Sequence, residues 1–293
     1  MTHSLRRENG HLKIHHSSTN RLLILLLLIL LSLFFIACQH DDENTASVAL
    51  SAKDIAYGTD PLQTMDIDLP AERTSKTKVI VFIHGGGWKE GAKEQFDGIR
   101  GKFVAQGFGT VSINYRHADI DQHISYVELL SDIDQSLLYL RTKSDEYVYN
   151  AGDICLFGHS AGAHLALLYA YRNNTHGQVT SVIALSAPTD LPELLDKGTF
   201  PSLLYNLVGS DDQNKFEDAS PIAHVKPGAV PTFCFHGLAD ESVPYKQSQE
   251  LYDQLAKWDD SKNELKLLEG EGHDFSTDAL NEIVQESLLY LKK

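Results

Sequence analysis

The sequence predicts an α/β fold, a mostly parallel central sheet with helices on both faces and a small cap or lid insertion. Three observations carry that prediction. From Lys78 onwards, short apolar runs suited to buried strands alternate with segments whose apolar residues fall on one helical face. A strand, a tight glycine turn and a helix follow one another without a break over Asp153 to Tyr171. The alternation lapses over residues 188–231, and a gap of that length in a compact domain is read as a lid or cap.

The chain opens with a polar segment carrying Arg6, Arg7, Lys13 and Arg21, followed by an apolar block from Leu22 to Ala37. That block is shorter than the roughly 20 residues a spanning helix needs, and basic residues ahead of a short apolar core describe an export signal. An uncleaved membrane anchor is the alternative. The block closes on Phe35-Ile36-Ala37-Cys38, which resembles the lipobox of bacterial lipoproteins. The resemblance implies a signal peptide over 1–37, a lipid on Cys38 at the mature N-terminus, membrane attachment through that lipid, and a location in a bacterial cell envelope outside the cytoplasm. Residues 38–54, beginning with the acidic run Gln39 to Asn44, are expected to form a flexible tether. The folded domain is expected over 55–293.

Within that domain Met65, Ile67 and Leu69 alternate with polar residues, the pattern of a half-exposed strand. Lys78 to Ile83 is a continuous β-branched and aromatic run, which suits a strand buried on both faces. Helical spacing follows over Lys93 to Gln106, stopped by Gly107. Thr110 to Tyr115 reads as the next strand, Val127 to Arg141 as a helix through Leu130, Ile133, Leu137 and Leu140, and Ile154 to Phe157 as a buried strand. Beyond it come strands at Ser181 to Leu185, Thr232 to Phe235 and Glu264 to Leu268, and helices over Lys246 to Trp258 and Thr277 to Leu291. Two short apolar patches in the insertion, Leu191 to Leu195 and Leu203 to Val208, suggest a modest cover over a site.

A net charge of −15 disfavours nucleic acid and anionic head groups. Cys155 and Cys234 lie in apolar runs and read as buried core residues; a disulfide between them needs close, suitably angled strands. No metal-ligand spacing is present, and no cofactor is expected.

Chemistry concentrates at the turn Gly158-His159-Ser160-Ala161-Gly162. Such a turn strains its central residue, so the positions two before and two after must be small for strand and helix to approach. Gly158 and Gly162 fill them, Ser160 stands at the tip, and the Ala161 N–H at the helix start faces an anion position. A serine hydroxyl needs a base to take its proton and a carboxylate to orient that base. Asp240 follows the strand Thr232 to Phe235, and His273 follows the strand Glu264 to Leu268. Rival bases are His84, His159 and His236; rival acids are Glu241, Asp274 and Asp190.

The motifs HGGGW at 84–88 and GHSAG at 158–162, with the order Ser160, Asp240, His273, closely resemble the α/β-hydrolase family over about residues 55–293. The HGGG loop is similar to that of hormone-sensitive-lipase-like esterases and feruloyl- or acetyl-ester esterases, and HGGGW also fits the HGGxW motif of kynurenine formamidases. The resemblance implies Ser160 as nucleophile, His273 as general base, Asp240 as the orienting acid, and Gly86, Gly87 and Ala161 as the oxyanion hole. Trp88 is expected to wall the acyl pocket, with a core tryptophan as the alternative. The implied activity is hydrolysis of carboxylic esters of short acyl or carbohydrate-linked acyl groups. An arylformamidase, a peptidase and a noncatalytic binding lipoprotein are the competing readings.

Overall fold

The computed structural model describes residues 45–258 and 261–293. The expected signal segment, Cys38 and the first part of the expected tether lie outside the described residues. A small antiparallel pair joins β1 (Thr45–Ala46) to β4 (Arg73–Thr74). The main sheet contains β2 (Leu50–Ala56), β3 (Thr64–Leu69), β5 (Val79–Ile83), β6 (Gly109–Ile113), β7 (Ile154–His159), β8 (Val179–Leu185), β9 (Thr232–Gly237) and β10 (Glu264–Leu268). Their order is β10-β9-β8-β7-β5-β6-β3-β2. Every pairing from β6 to β10 is parallel, and β3 and β2 add on antiparallel.

The tether expected over 38–54 is corrected at its C-terminal end. β2 pairs with β3 from Leu50 opposite Leu69 to Ala56 opposite Thr64, so the folded domain begins before Ile55. This strand was invisible to an apolar pattern because it is an edge strand with a bulge between Ala52 and Ile55, and Ser51, Lys53 and Asp54 face solvent.

Alternate residues of β5 enter two separate cores, which explains its unbroken apolar run. Val79, Val81 and Ile83 pack with helix α2 (Tyr126–Tyr147) and helix α3 (Ala161–Leu168). Ile80 and Phe82 pack on the other face with Ile99 and Phe103 of α1 (Asp97–Val104) and Ile283 and Val284 of the C-terminal helix, Thr277–Tyr290. Cys155 belongs to the second core and Cys234 to the first, both as free buried thiols. Lying on opposite faces of the sheet, they cannot be bridged, and burial pushes each thiol up to about 12.

Helix boundaries differ from expectation in instructive ways. Lys93–Phe96 is a 3-10 turn ahead of α1. α2 starts at a reciprocal Ser125 and Glu128 capping box and runs on to Tyr147, ending at Val148 with φ 58°. α3 gives way to a π turn at Tyr169–Asn173.

The insertion folds as α4 (Leu191–Asp196), α5 (Pro201–Val208) and α6 (Gln213–Asp218), closed by a 3-10 turn at Pro221–His224. Its apolar patches do more packing than covering: Leu191, Leu194, Leu204, Leu207 and Val208 are buried in the core. Asp218 ties its far end down, taking Arg172 Nη2 and the Tyr126 hydroxyl at 2.8 and 2.7 Å. After the insertion, α7 (Lys246–Ala256) leads from β9 to β10, and α8 (Thr277–Tyr290) completes the domain.

Strand order reverses at β5: the chain passes to β6 on one side, then returns to β7 on the other. In open α/β sheets the crevice beyond the carboxyl ends at such a point is where ligands bind. Both glycine motifs emerge there, 84–88 from β5 and 158–162 from β7.

Candidate active site

Ser160 occupies the junction of β7 and α3 with φ 53° and ψ −120°. A non-glycine residue there stores on the order of 1–3 kcal/mol of strain. The surroundings hold it in place: the Ser160 N–H donates to Leu185 O at 2.8 Å, and the two flanking glycines leave no room for relaxation. A Cβ on Gly162 would meet Ile83 O at 2.0 Å, and one on Gly158 would meet Ala163 N at 2.5 Å.

The three elements bring Ser160, His273 and Asp240 into one line. His273 Nε2 lies 2.8 Å from Ser160 Oγ, and His273 Nδ1 lies 2.8 Å from Asp240 Oδ2. The Asp240 side chain is fully buried. Burial alone would raise its pKa, but hydrogen bonds from His236, His273 and the Val243 backbone hold the carboxyl well below the usual carboxylate range. All four of its partners are donors: Ser242 N and Val243 N at 2.8 Å on Oδ1, His273 Nδ1 and His236 Nε2 on Oδ2. Because Asp240 needs Nδ1–H from His273, the ring presents a lone pair on Nε2 to the serine hydroxyl. A serine proton can therefore pass to His273, with a buried anion behind it to stabilise the imidazolium.

Next to the serine, the loop from β5 approaches the elbow so closely that a Cβ on Gly85 would lie 3.1 Å from His159 O and 3.4 Å from Ser160 Cβ. Gly86 (φ 110°) and Gly87 (φ 56°) have conformations that other residues adopt only under strain. Among the described residues, no hydrogen-bond acceptor takes the backbone N–H of Gly86, Gly87 or Ala161. Ala161 is the first residue of α3, so its N–H has no acceptor within the helix.

The rival residues have other engagements. His84 is buried, stacked on Tyr115 at 4.2 Å, with Nδ1 2.7 Å from Gly85 O; burial lowers its pKa to about 4. His236 spends Nε2 on Asp240 and Val243 O and faces the Ser248 hydroxyl through Nδ1 at 2.7 Å. His159 uses both nitrogens, on Gln95 and on His273 O. Asp190 caps α4 by accepting from Glu193 N, Glu241 is exposed, and the Asp274 side chain is 92% exposed.

Trp88, expected to wall an acyl pocket, is corrected to the core. It is 1% exposed, with a positive φ of 61°, and Nε1 donates to His164 Nδ1 at 3.1 Å. His164 in turn donates from Nε2 to Ala219 O at 2.8 Å, and burial lowers its pKa to about 4. Leu203 of α5 takes the surface place instead, its Cδ1 3.1 Å from where a Gly87 Cβ would stand. Sequence reasoning passed over His164 and Gln95, neither of which stands in a recognisable motif, and read Leu203 only as the start of an apolar patch that covers a site.

Comparison with known proteins agrees with this architecture. The family model BD-FAE matches residues 65–255. Esterase LipC of Mycobacterium tuberculosis is 28% identical over 243 residues, covering 75% of this chain and 59% of that protein. A probable isoprenylcysteine alpha-carbonyl methylesterase of Oryza sativa is 26% identical over 246 residues, covering 75% and 56%. The chain thus spans less than two thirds of the length of these curated relatives. Among solved structures, a truncated carbohydrate esterase from gut microbiota superposes with a TM-score of 0.70 at 19% identity, covering 84% of this chain and 98% of that one. A thermophilic esterase of Thermogutta terrifontis with bound propionate gives 0.68 at 23% identity, covering 83% and 93%. These likenesses identify the fold as that of the α/β-hydrolases.

Proposed function

Since the chain belongs to the BD-FAE family, we propose that it is a serine hydrolase cleaving carboxylic esters of short acyl or carbohydrate-linked acyl groups through an acyl-enzyme. The observation that carries this reading is the unbroken relay Ser160 Oγ to His273 Nε2, then His273 Nδ1 to Asp240 Oδ2, at 2.8 Å in each step. In the reaction, Ser160 Oγ attacks the ester carbonyl as His273 takes its proton. The carbonyl oxygen, now negative, is held by the N–H groups of Gly86, Gly87 and Ala161, each worth on the order of 10²–10³ in rate. His273 returns the proton to the departing alcohol, then activates water to free the enzyme.

An ester is preferred over a formamide or peptide because both named relatives carry esterase names. A cavity of about 650 Å³ that none of the catalytic residues lines, but that Lys89 and Leu203 border beside the glycine loop, supports the carbohydrate-linked form of the reading as a place for the alcohol group. Its wall offers Asp60, Arg116, Asp119, Gln122 and Asn206. Arg116 is already paired with buried Asp132 at 2.6 Å, so the lining has no excess of positive charge and favours a neutral, hydroxyl-rich group. One structural neighbour is itself a carbohydrate esterase, and another, an esterase, holds propionate.

The test is to compare acetyl, butyryl, octanoyl and feruloyl esters and an acetylated xylo-oligosaccharide in the wild type and in Ser160→Ala. Turnover that survives in Ser160→Ala removes the nucleophile assignment; failure of every ester, with turnover of N-formylkynurenine, replaces the ester reading. For location, the lipobox-like Ala37-Cys38 supports a lipid-anchored protein of a bacterial cell envelope. Cys38→Ala should lose palmitate labelling and membrane fractionation; a variant that labels and fractionates like wild type refutes the anchor.

A further inference from the structure

His159 precedes the candidate nucleophile, yet its ring nitrogens bond neither Ser160 nor the His273 imidazole and instead join three loops. Gly85 N, in the loop from β5, donates to Gln95 Oε1 at 2.7 Å. Gln95 Nε2 lies 3.0 Å from His159 Nδ1, and His159 Nε2 lies 2.9 Å from His273 O. The Ser186 hydroxyl at the end of β8 reaches the same carbonyl at 3.3 Å. One chain of hydrogen bonds therefore runs from the oxyanion loop, across the elbow, to the backbone of the candidate base.

The polarity of this chain is fixed at both ends. Gly85 N–H can only donate, so the facing Gln95 atom is the carbonyl oxygen and the other end of the amide is NH2. That NH2 can only donate, so Nδ1 of His159 carries a lone pair. His273 O can only accept, so Nε2 of His159 carries the hydrogen. Just one state of the ring satisfies all three contacts, the neutral imidazole protonated at Nε2. The ring sits among the His273 imidazole, centroids 5.1 Å apart, the Asp274 carboxylate at 3.9 Å, and more distantly Asp240.

We propose that His159 and Gln95 are positioning residues that lock the oxyanion loop to the His273 loop, so that the anion-binding N–H groups and the base keep a fixed separation. Neither touches the reacting atoms. The inference rests on the serine-hydrolase reading above. Burial works in the same direction, lowering the pKa of His159 so that the neutral ring persists near neutral pH. An imidazolium would set Nδ1–H against the Gln95 NH2 and break the chain at its centre.

The exposed end of the chain gives the cleaner variants. Gln95→Leu removes both of its bonds at an exposed position. With p-nitrophenyl acetate we expect kcat to fall about tenfold or more with KM within about twofold, because misplaced groups of this kind are felt in the transition state. Gln95→Glu should restore most of kcat by another route. Its carboxylate accepts from Gly85 N–H and from an Nδ1–H, so the chain closes around a protonated His159. Nitrogen-15 NMR of the ring should then report a neutral Nε2–H tautomer in the wild type and an imidazolium in Gln95→Glu at pH 7. Wild-type kcat in Gln95→Leu overturns the proposal, as does a loss that Gln95→Glu fails to restore, or an Nδ1–H tautomer in the wild type. The tautomer measurement needs no turnover, so it stands apart from Ser160→Ala, whose retained activity would instead defeat the serine-hydrolase reading.

Discussion

Replacing Asp240 by Asn keeps the size of the side chain and changes what it can accept. In the native site two donors face each carboxylate oxygen: Ser242 N and Val243 N on Oδ1, His273 Nδ1 and His236 Nε2 on Oδ2. An amide has acceptor capacity on one side only, so either orientation sets an NH2 against donors. The orientation that keeps the two 2.8 Å backbone bonds turns NH2 toward His273, which must move its hydrogen to Nε2 to accept it. Nε2 then has no lone pair for the Ser160 proton. A wrong tautomer of this kind costs on the order of 10⁴ in kcat, about 5.5 kcal/mol at 1.36 kcal/mol per decade. The assay is steady-state hydrolysis of p-nitrophenyl acetate from pH 6 to 9, beside His273→Ala. A fall in kcat of less than tenfold would refute the argument and return the acid role to Asp190 or Glu241. Stability carries a second reading of the same change. Asp240 has its pKa depressed in the fold, so its contribution is present above the unfolded value, about 3.9, and is lost as pH falls through the lower folded value. The difference in Tm between wild type and Asp240→Asn should persist at pH 7 and pH 5 and begin to close only below about pH 4.

Other perturbations probe separate parts of the site. Gly162→Ala should fail to form a native elbow, since its Cβ would stand 2.0 Å from Ile83 O, backbone that cannot move aside; soluble expression with wild-type Tm would contradict this. Gly87→Ala combines φ 56° with a 3.1 Å contact to Leu203 Cδ1; alanine keeps the N–H, but a loop shifted to relieve both would misaim it, and kcat should fall by up to about 10²-fold, with about 1 kcal/mol of backbone strain in denaturant unfolding. Trp88→Phe leaves His164 Nδ1 buried without its donor, a loss of about 1–3 kcal/mol in denaturant unfolding. The ranking of acyl chain lengths should stay as in wild type, and a changed ranking would return Trp88 to the pocket wall.

The parts of this molecule legible in the sequence were those where local chemistry leaves few options. Continuous runs such as Val79–Ile83 could only be strands with both faces covered, and the Gly158 to Gly162 turn could only be tight. Contacts made across long separations were not legible. Trp88 looks like a pocket residue beside three glycines, and only the fold brings His164, 76 positions later, under its Nε1. β2 has its charged residues outward on a sheet edge, so its composition is that of a linker, and only the pairing with β3 distinguishes it. His159 stands within the motif, but its partners Gln95 and His273 come from distant loops, and a lone glutamine before a helix carries no signal of its own.

The anchoring of the insertion through Asp218 bears on whether that segment can move. Arg172 and Tyr126 belong to the sheet-packing layer, and His164 fastens the same stretch through Ala219 O at 2.8 Å. With its apolar residues in the core and Asp218 and Ala219 held in this way, the insertion is built as fixed structure, so hydrolysis is expected on dissolved monomeric esters with no lag and no jump in rate at the onset of micelles. Product release then needs no movement of the insertion, and added viscogen should leave kcat on small esters where it was.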